Sequence, residues 1–177
     1  MTAGSEYGKA LFMLAEERGS TEFCLDDVRA VCRIFKENPK YVKLLDTPAV
    51  MKSEKLALID EAFSGIDEDL KNLIKILCEN HSVYIFGEIE KSFSALYDLS
   101  RGIERVEAIT AVAMTEEQTS RMSEKLAAMT GKKIILKNTI SPEILGGVKL
   151  RFSGRQLDGS VKTRLDKFEA SLKNTVI

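Results

Sequence analysis

The run Ser141-Pro142-Glu143-Ile144-Leu145-Gly146-Gly147-Val148-Lys149-Leu150-Arg151-Phe152-Ser153-Gly154-Arg155-Gln156-Leu157-Asp158-Gly159-Ser160-Val161 decides the fold of the last third of this chain. It reads as a turn, a strand with one buried face, a tight hairpin, and a second turn that opens a helix. Val148, Leu150 and Phe152 alternate with Lys149, Arg151 and Ser153, so one face is dry and the other wet. Ser153-Gly154 fits a two-residue hairpin turn. Gly146-Gly147 lets the chain turn sharply into the strand. No GxGxxG follows a strand and no GK[ST] follows a glycine loop, so these glycines do not read as a phosphate cradle. Asp158-Gly159-Ser160 caps a final helix with Val161, Leu165, Phe168 and Leu172 on one face. This is structural punctuation, and it directs the search for function to surfaces.

Working back from this run, Lys133 to Lys137 reads as a second strand, and Val106 to Val112, rich in β-branched residues, as a first. Between them Thr115 and Gln118 form a capping box. Met122, Leu126 and Met129 supply the buried face of that helix, and Gly131 ends it. Before Gly102 the pattern is helical throughout. Val28, Val31, Cys32 and Phe35 follow the i, i+3, i+4, i+7 rule, as do Leu70, Leu73, Ile74 and Leu77. Tyr41, Leu44 and Leu45 make a short piece after Pro39. Leu56, Ile59 and Phe63 make another after Thr47-Pro48. The longest helix is expected from about Val83 to about Arg101, with Phe86, Ile89, Phe93, Leu96 and Ile103 on a heptad-like seam. Gly19, Gly65 and Gly102 sit where helices can end. The fold class is therefore a two-module chain of α + α/β type. A six-helix bundle spans 1–105, and a small α+β module spans 106–177.

Composition bounds the function. The 177 residues are 44% hydrophobic and 30% charged, enough to bury a core and stay soluble. A net charge of -1 argues against a general nucleic-acid binder. Residues 1–105 carry an excess of acid and residues 106–177 an excess of base, which points to different partners for the two modules. Cys24, Cys32 and Cys78 form no CxxC pair, so they read as free thiols in a reducing compartment. No apolar run reaches the roughly 20 residues of a membrane span. Met1-Thr2-Ala3-Gly4-Ser5-Glu6 has no signal-peptide character, so a cytoplasmic location is expected.

Catalytic chemistry is sparse. His81 is the one histidine, in a helix–helix turn with Cys78 and Ser82 nearby, and it reads as a solvated turn residue. The chain is too poor in His and Cys for a metal site, and no cofactor is expected. Asp67-Glu68-Asp69 sits where a helix begins, where acid is favoured by the helix dipole. Lys149, Arg151 and Arg155 lack interleaved aromatics, so they read as a solvated strand face or a site for an acidic protein; an RNA-binding α+β module with a helical adaptor is the alternative.

The first helix, over 5–18, is apolar around too much of its circumference. Gly8, Leu11, Phe12 and Ala15 form one face, and Tyr7, Ala10, Met13 and Leu14 another. In the fifth helix Ile76 lies off the stripe. Two surplus apolar faces, if adjacent, make a groove for an amphipathic helix.

Several motifs carry a resemblance. Tyr7-Gly8-Lys9-Ala10-Leu11-Phe12 is similar to a Tyr-Ala-Lys-Ala-Leu-Phe opening, with Gly8 in place of alanine. Leu44-Leu45-Asp46-Thr47-Pro48 resembles Leu-Leu-x-x-Pro. Ile144-Leu145-Gly146-Gly147-Val148 and Leu157-Asp158-Gly159-Ser160-Val161 resemble Leu-Ile-Gly-Gly-Val followed by Ile-Asp-Gly-Ser-Val. In this order and spacing they resemble the delta-subunit family of F-type ATP synthases, which includes the mitochondrial oligomycin-sensitivity-conferring protein. The chain departs from the family at Ser141, where Asp is usual, at Ser82, where Arg is frequent, and at Ala113-Met114, where Pro-Leu is frequent.

The resemblance implies a non-catalytic stator subunit in the peripheral stalk, on the cytoplasmic face of a bacterial plasma membrane. It implies that the helical module holds the N-terminal helix of an alpha subunit between its first and fifth helices. By position that groove includes Tyr7, Ala10, Leu14, Asn72 and Ile76, of which Asn72 comes from the resemblance alone. It also implies that the C-terminal module binds the C-terminal ends of the b subunits.

Overall fold

Thr2 opens the first helix by accepting the Ser5 N–H on its side chain, and the computed structural model then follows the chain through residues 2–144, 146–152 and 155–159. Six α-helices come first: α1 (Ala3–Glu17), α2 (Thr21–Glu37), α3 (Pro39–Asp46), α4 (Lys52–Ala62), α5 (Glu68–Glu79) and α6 (Phe86–Ser100). A single 3-10 turn (Val83–Ile85) leads into α6. Then follow β1 (Ile103–Thr110), α7 (Glu116–Thr130), β2 (Lys133–Ile140), β3 (Val148–Phe152) and β4 (Arg155–Asp158). The chain divides into two compact units, 1–100 and 101–177.

The helical unit closes over one apolar core. Phe35 is its hub, edge-on to Phe86 at 5.1 Å and to Phe63 at 5.8 Å between ring centroids. Phe12 meets Phe93 edge-on at 5.5 Å. Leu45, Ile59, Leu70, Ile74 and Ile89 are fully enclosed among them. Helix ends follow local chemistry. Asp67 caps α5, its carboxylate accepting from the N–H groups of Asp69 and Leu70, so the acidic run is a helix start. The three cysteines are buried free thiols.

In the second unit the sheet order is β2-β1-β3-β4. β1 and β2 are parallel and joined through α7; β1–β3 and β3–β4 are antiparallel. The Thr115–Gln118 capping box forms with both bonds, and Gly131 ends α7 in the left-handed conformation. Val106, Ala108 and Thr110 make the buried face of β1. Asn138 joins the strand ends: its amide donates to Ala108 O and Thr110 Oγ1 and its carbonyl accepts from Met114 N–H.

Some expectations change. The helix expected from Val83 starts as a 3-10 turn, because Asp46 draws the Val83 and Tyr84 N–H groups onto its carboxylate at 2.8 and 3.2 Å. Among the described residues the longest helix is α2. Ile103 leaves the α6 seam and opens β1, because Gly102 reverses the chain at φ 61°, so the strand begins ahead of Val106 and ends before Val112. Met129 is 79% exposed; the packed side of α7 is Leu126 with half-buried Met122 and Ala127. β2 runs on to Ile140. The dry and wet faces of β3 are muted, since Val148, Lys149, Leu150 and Phe152 are all half-buried. Gly65 does not take a positive φ, and α4 ends at Ala62 without it. The Ser153-Gly154 turn, Ser160 and the helix expected through Val161, Leu165, Phe168 and Leu172 lie outside the described residues.

Candidate partner-binding groove

α1 separates its two apolar faces cleanly. Gly4, Gly8, Leu11, Phe12 and Ala15 are buried. Gly4 and Gly8 let α1 lie directly on α6, where Ser92 donates its hydroxyl to Ser5 O at 3.1 Å. The other face looks outward. Met13 is 53% and Leu14 42% exposed, Ala10 is exposed, and Tyr7 is half-buried against the core.

α5 lies beside α1, and an ion pair of 2.9 Å between Arg18 and Asp69 ties the end of one helix to the start of the other. Leu70, Leu73, Ile74, Leu77 and Cys78 turn inward. Ile76 is 46% exposed, and Asn72 is exposed one turn before it. The five positions named from the sequence therefore sit on two packed helices, four of them open to solvent and Tyr7 partly so. Isolated exposed apolar residues are ordinary, but Met13, Leu14 and Ile76 belong to neighbouring helices whose inner faces are already filled. Such a surface holds no reactive group; what it offers is apolar area to another apolar surface.

The sequence model of the family described as ATP synthase delta (OSCP) subunit matches residues 3–172. The chain belongs to this family. Curated relatives agree along the whole length. ATP synthase subunit delta of Geobacillus sp. (strain WCH70) is 33% identical over 94% of this chain and 94% of its own. ATP synthase subunit delta of Rubrobacter xylanophilus is 31% identical over 100% of both. A chain in the cryo-EM structure of the Toxoplasma gondii mitochondrial ATP synthase hexamer shares the fold, with a TM-score of 0.74 at 22% identity over 97% of this chain and 98% of that one. As a delta-family member, the chain is a structural subunit of the F-type ATP synthase, in its peripheral stalk.

The RNA-binding alternative finds no support here. Arg151 is paired with Glu107 at 3.0 Å and Lys149 with Asp158 at 3.7 Å, each across the strand from its partner, so two of its three cations are engaged within the sheet. The side chain of Arg155 lies outside the described residues. His81 is an exposed turn residue at φ 51°. Among the described residues no cluster of His, Cys, Asp and Glu is arranged to hold a metal ion.

Sequence reasoning missed a cavity between α2, α3 and the start of α6. Its lining comes from three separate segments, so no single periodicity reveals it. The one local signal was Gly87, a glycine early in a helix.

Proposed function

We propose that the 1–105 segment works as one six-helix bundle that caps the catalytic head, gripping an alpha-subunit N-terminal helix between α1 and α5 through Tyr7, Ala10, Leu14, Asn72 and Ile76. The 106–177 segment binds the C-terminal ends of the b subunits. The chain does no catalysis of its own and sits at the cytoplasmic face of a bacterial plasma membrane, peripheral to it through the complex. In keeping with this, no helix among the described residues is long and apolar enough to cross a membrane.

The observation that carries this reading is that packed helices α1 and α5 each expose apolar residues, Leu14 and Ile76 both over 40%. An amphipathic helix laid there buries apolar area without disturbing the core. The mechanical logic follows. Rotor torque acts on the head, and an unanchored head would turn with the rotor, so proton flow would do no work. A link under load needs slow dissociation, which large apolar contacts supply.

Calorimetric titration of the folded chain with a peptide of the alpha N-terminal helix tests it. One-to-one binding that a Tyr7→Ala/Ile76→Asp double variant abolishes is the expected result. A folded chain that binds no peptide overturns the groove and leaves the family membership standing.

A further inference from the structure

The cavity between α2, α3 and the start of α6 has a volume of about 630 Å³, within the roughly 300–1,000 Å³ of small-molecule sites. None of its lining residues is on α1 or α5. Its floor includes Cys32, Phe35, Val42, Val83 and Phe86, side chains of carbon and sulfur only. A second hollow of about 340 Å³ shares Cys32 and Lys36 with it and adds Arg29, Arg33 and Glu90.

The two hollows together have a basic mouth: Arg29, Arg33, Lys36 and Lys43. Among the described residues none of these four forms an ion pair. The carboxylates nearby are already engaged. Both oxygens of Asp46 accept backbone N–H groups of the 3-10 turn, and Glu90 accepts the Ser94 hydroxyl at 3.2 Å. Four cations thus stand against two acids, and the lining keeps an excess of positive charge.

Gly87 is the second observation. A Cβ built there meets nothing within 4 Å, whereas at Gly4 and Gly8 it would meet α6 at 2.6 and 2.7 Å. Glycine weakens a helix relative to alanine. At Gly4 and Gly8 close packing compensates for that loss; Gly87 has no such packing and lines the cavity.

We propose that this cavity binds an amphipathic anion, a medium-chain fatty carboxylate. The hydrocarbon chain lies on Phe35, Val42 and Phe86, and the carboxylate reaches Lys36, shared by the two hollows, and Arg33 of the smaller one.

The test is calorimetric titration of the full chain with dodecanoate below its micellar concentration, with dodecanol as the uncharged arm. One saturable site is expected, with dodecanol at least roughly tenfold weaker. Gly87→Leu should remove binding by filling the cavity while keeping the melting temperature of the parent. Should that variant melt lower, Val42→Phe fills the same space from α3. An Arg33→Gln/Lys36→Gln variant should lose about tenfold in dodecanoate affinity and leave dodecanol unchanged. No saturable site, or binding unaltered by the filling variants, overturns the proposal.

Discussion

A Cβ at Gly8 would lie 2.7 Å from the Ser92 Cβ and 2.8 Å from the Ile89 carbonyl oxygen, with backbone on one side and a short side chain on the other. Neither can step aside, so alanine, usual at this place in the family motif, would have to push α1 off α6. Gly8→Ala should destabilise the chain by about 1–3 kcal/mol, as overpacking does, while Gly87→Ala should be neutral or stabilising. Urea denaturation of the two variants reads the difference. A second residue-scale effect concerns pH. Burial, and then the charges of Asp67, Asp27 and Asp69, push the Cys24 thiol from its ordinary 9.0 up to about 12. Burial also raises Cys78 and Tyr41. Above pH 9 the unfolded chain releases the Cys24 proton and the folded chain keeps it, so stability falls as pH rises from 9 toward 12, by about 1.4 kcal/mol per unit for that thiol. Melting temperatures from pH 7 to 11 should drop steeply above 9, and less steeply in Cys24→Ala.

At the scale of elements, the join between α3 and α6 depends on one carboxylate. Asp46 ends α3 and accepts the N–H groups of Val83 and Tyr84, across 37 and 38 residues of sequence. Asp46→Ala leaves those donors without their partner and should cost about 1–2 kcal/mol, measured by urea denaturation. Such a bond also marks what sequence can reveal. The Thr115–Gln118 box, the Asp67 cap and the stripes of α2 and α5 were legible because each is a local rule of spacing. The outward face of α1 was legible for the same reason, as a surplus over what one core contact needs. The start of α6 was not, because a distant Asp46 decides it. The exposure of Met129 was not, because the helical period is satisfied equally well by Met122, Leu126 and Ala127. Asn72 is exposed on α5 on no periodicity of its own, and only family resemblance singled it out.

At the scale of the whole molecule, the proposed function rests on a surface, so a well-chosen variant should separate folding from coupling. Ile76 is 46% exposed and sits on a helix whose inward side is filled by Leu73, Ile74 and Leu77. Ile76→Asp therefore leaves the core intact, and its melting temperature should stay near that of the parent. On the proposed function the same carboxylate is covered by the apolar face of the alpha-subunit helix, which should weaken head binding by about 3 kcal/mol, roughly 100-fold. On the proposed function, catalysis on the head does not pass through this contact, whereas transmission of torque does. In membrane vesicles rebuilt with the variant, ATP hydrolysis by the head should persist while ATP synthesis driven by a proton gradient falls. A variant that folds and still sustains full synthesis would show that the head is anchored elsewhere. Equal loss of both activities with a lowered melting temperature would return Ile76 to the core.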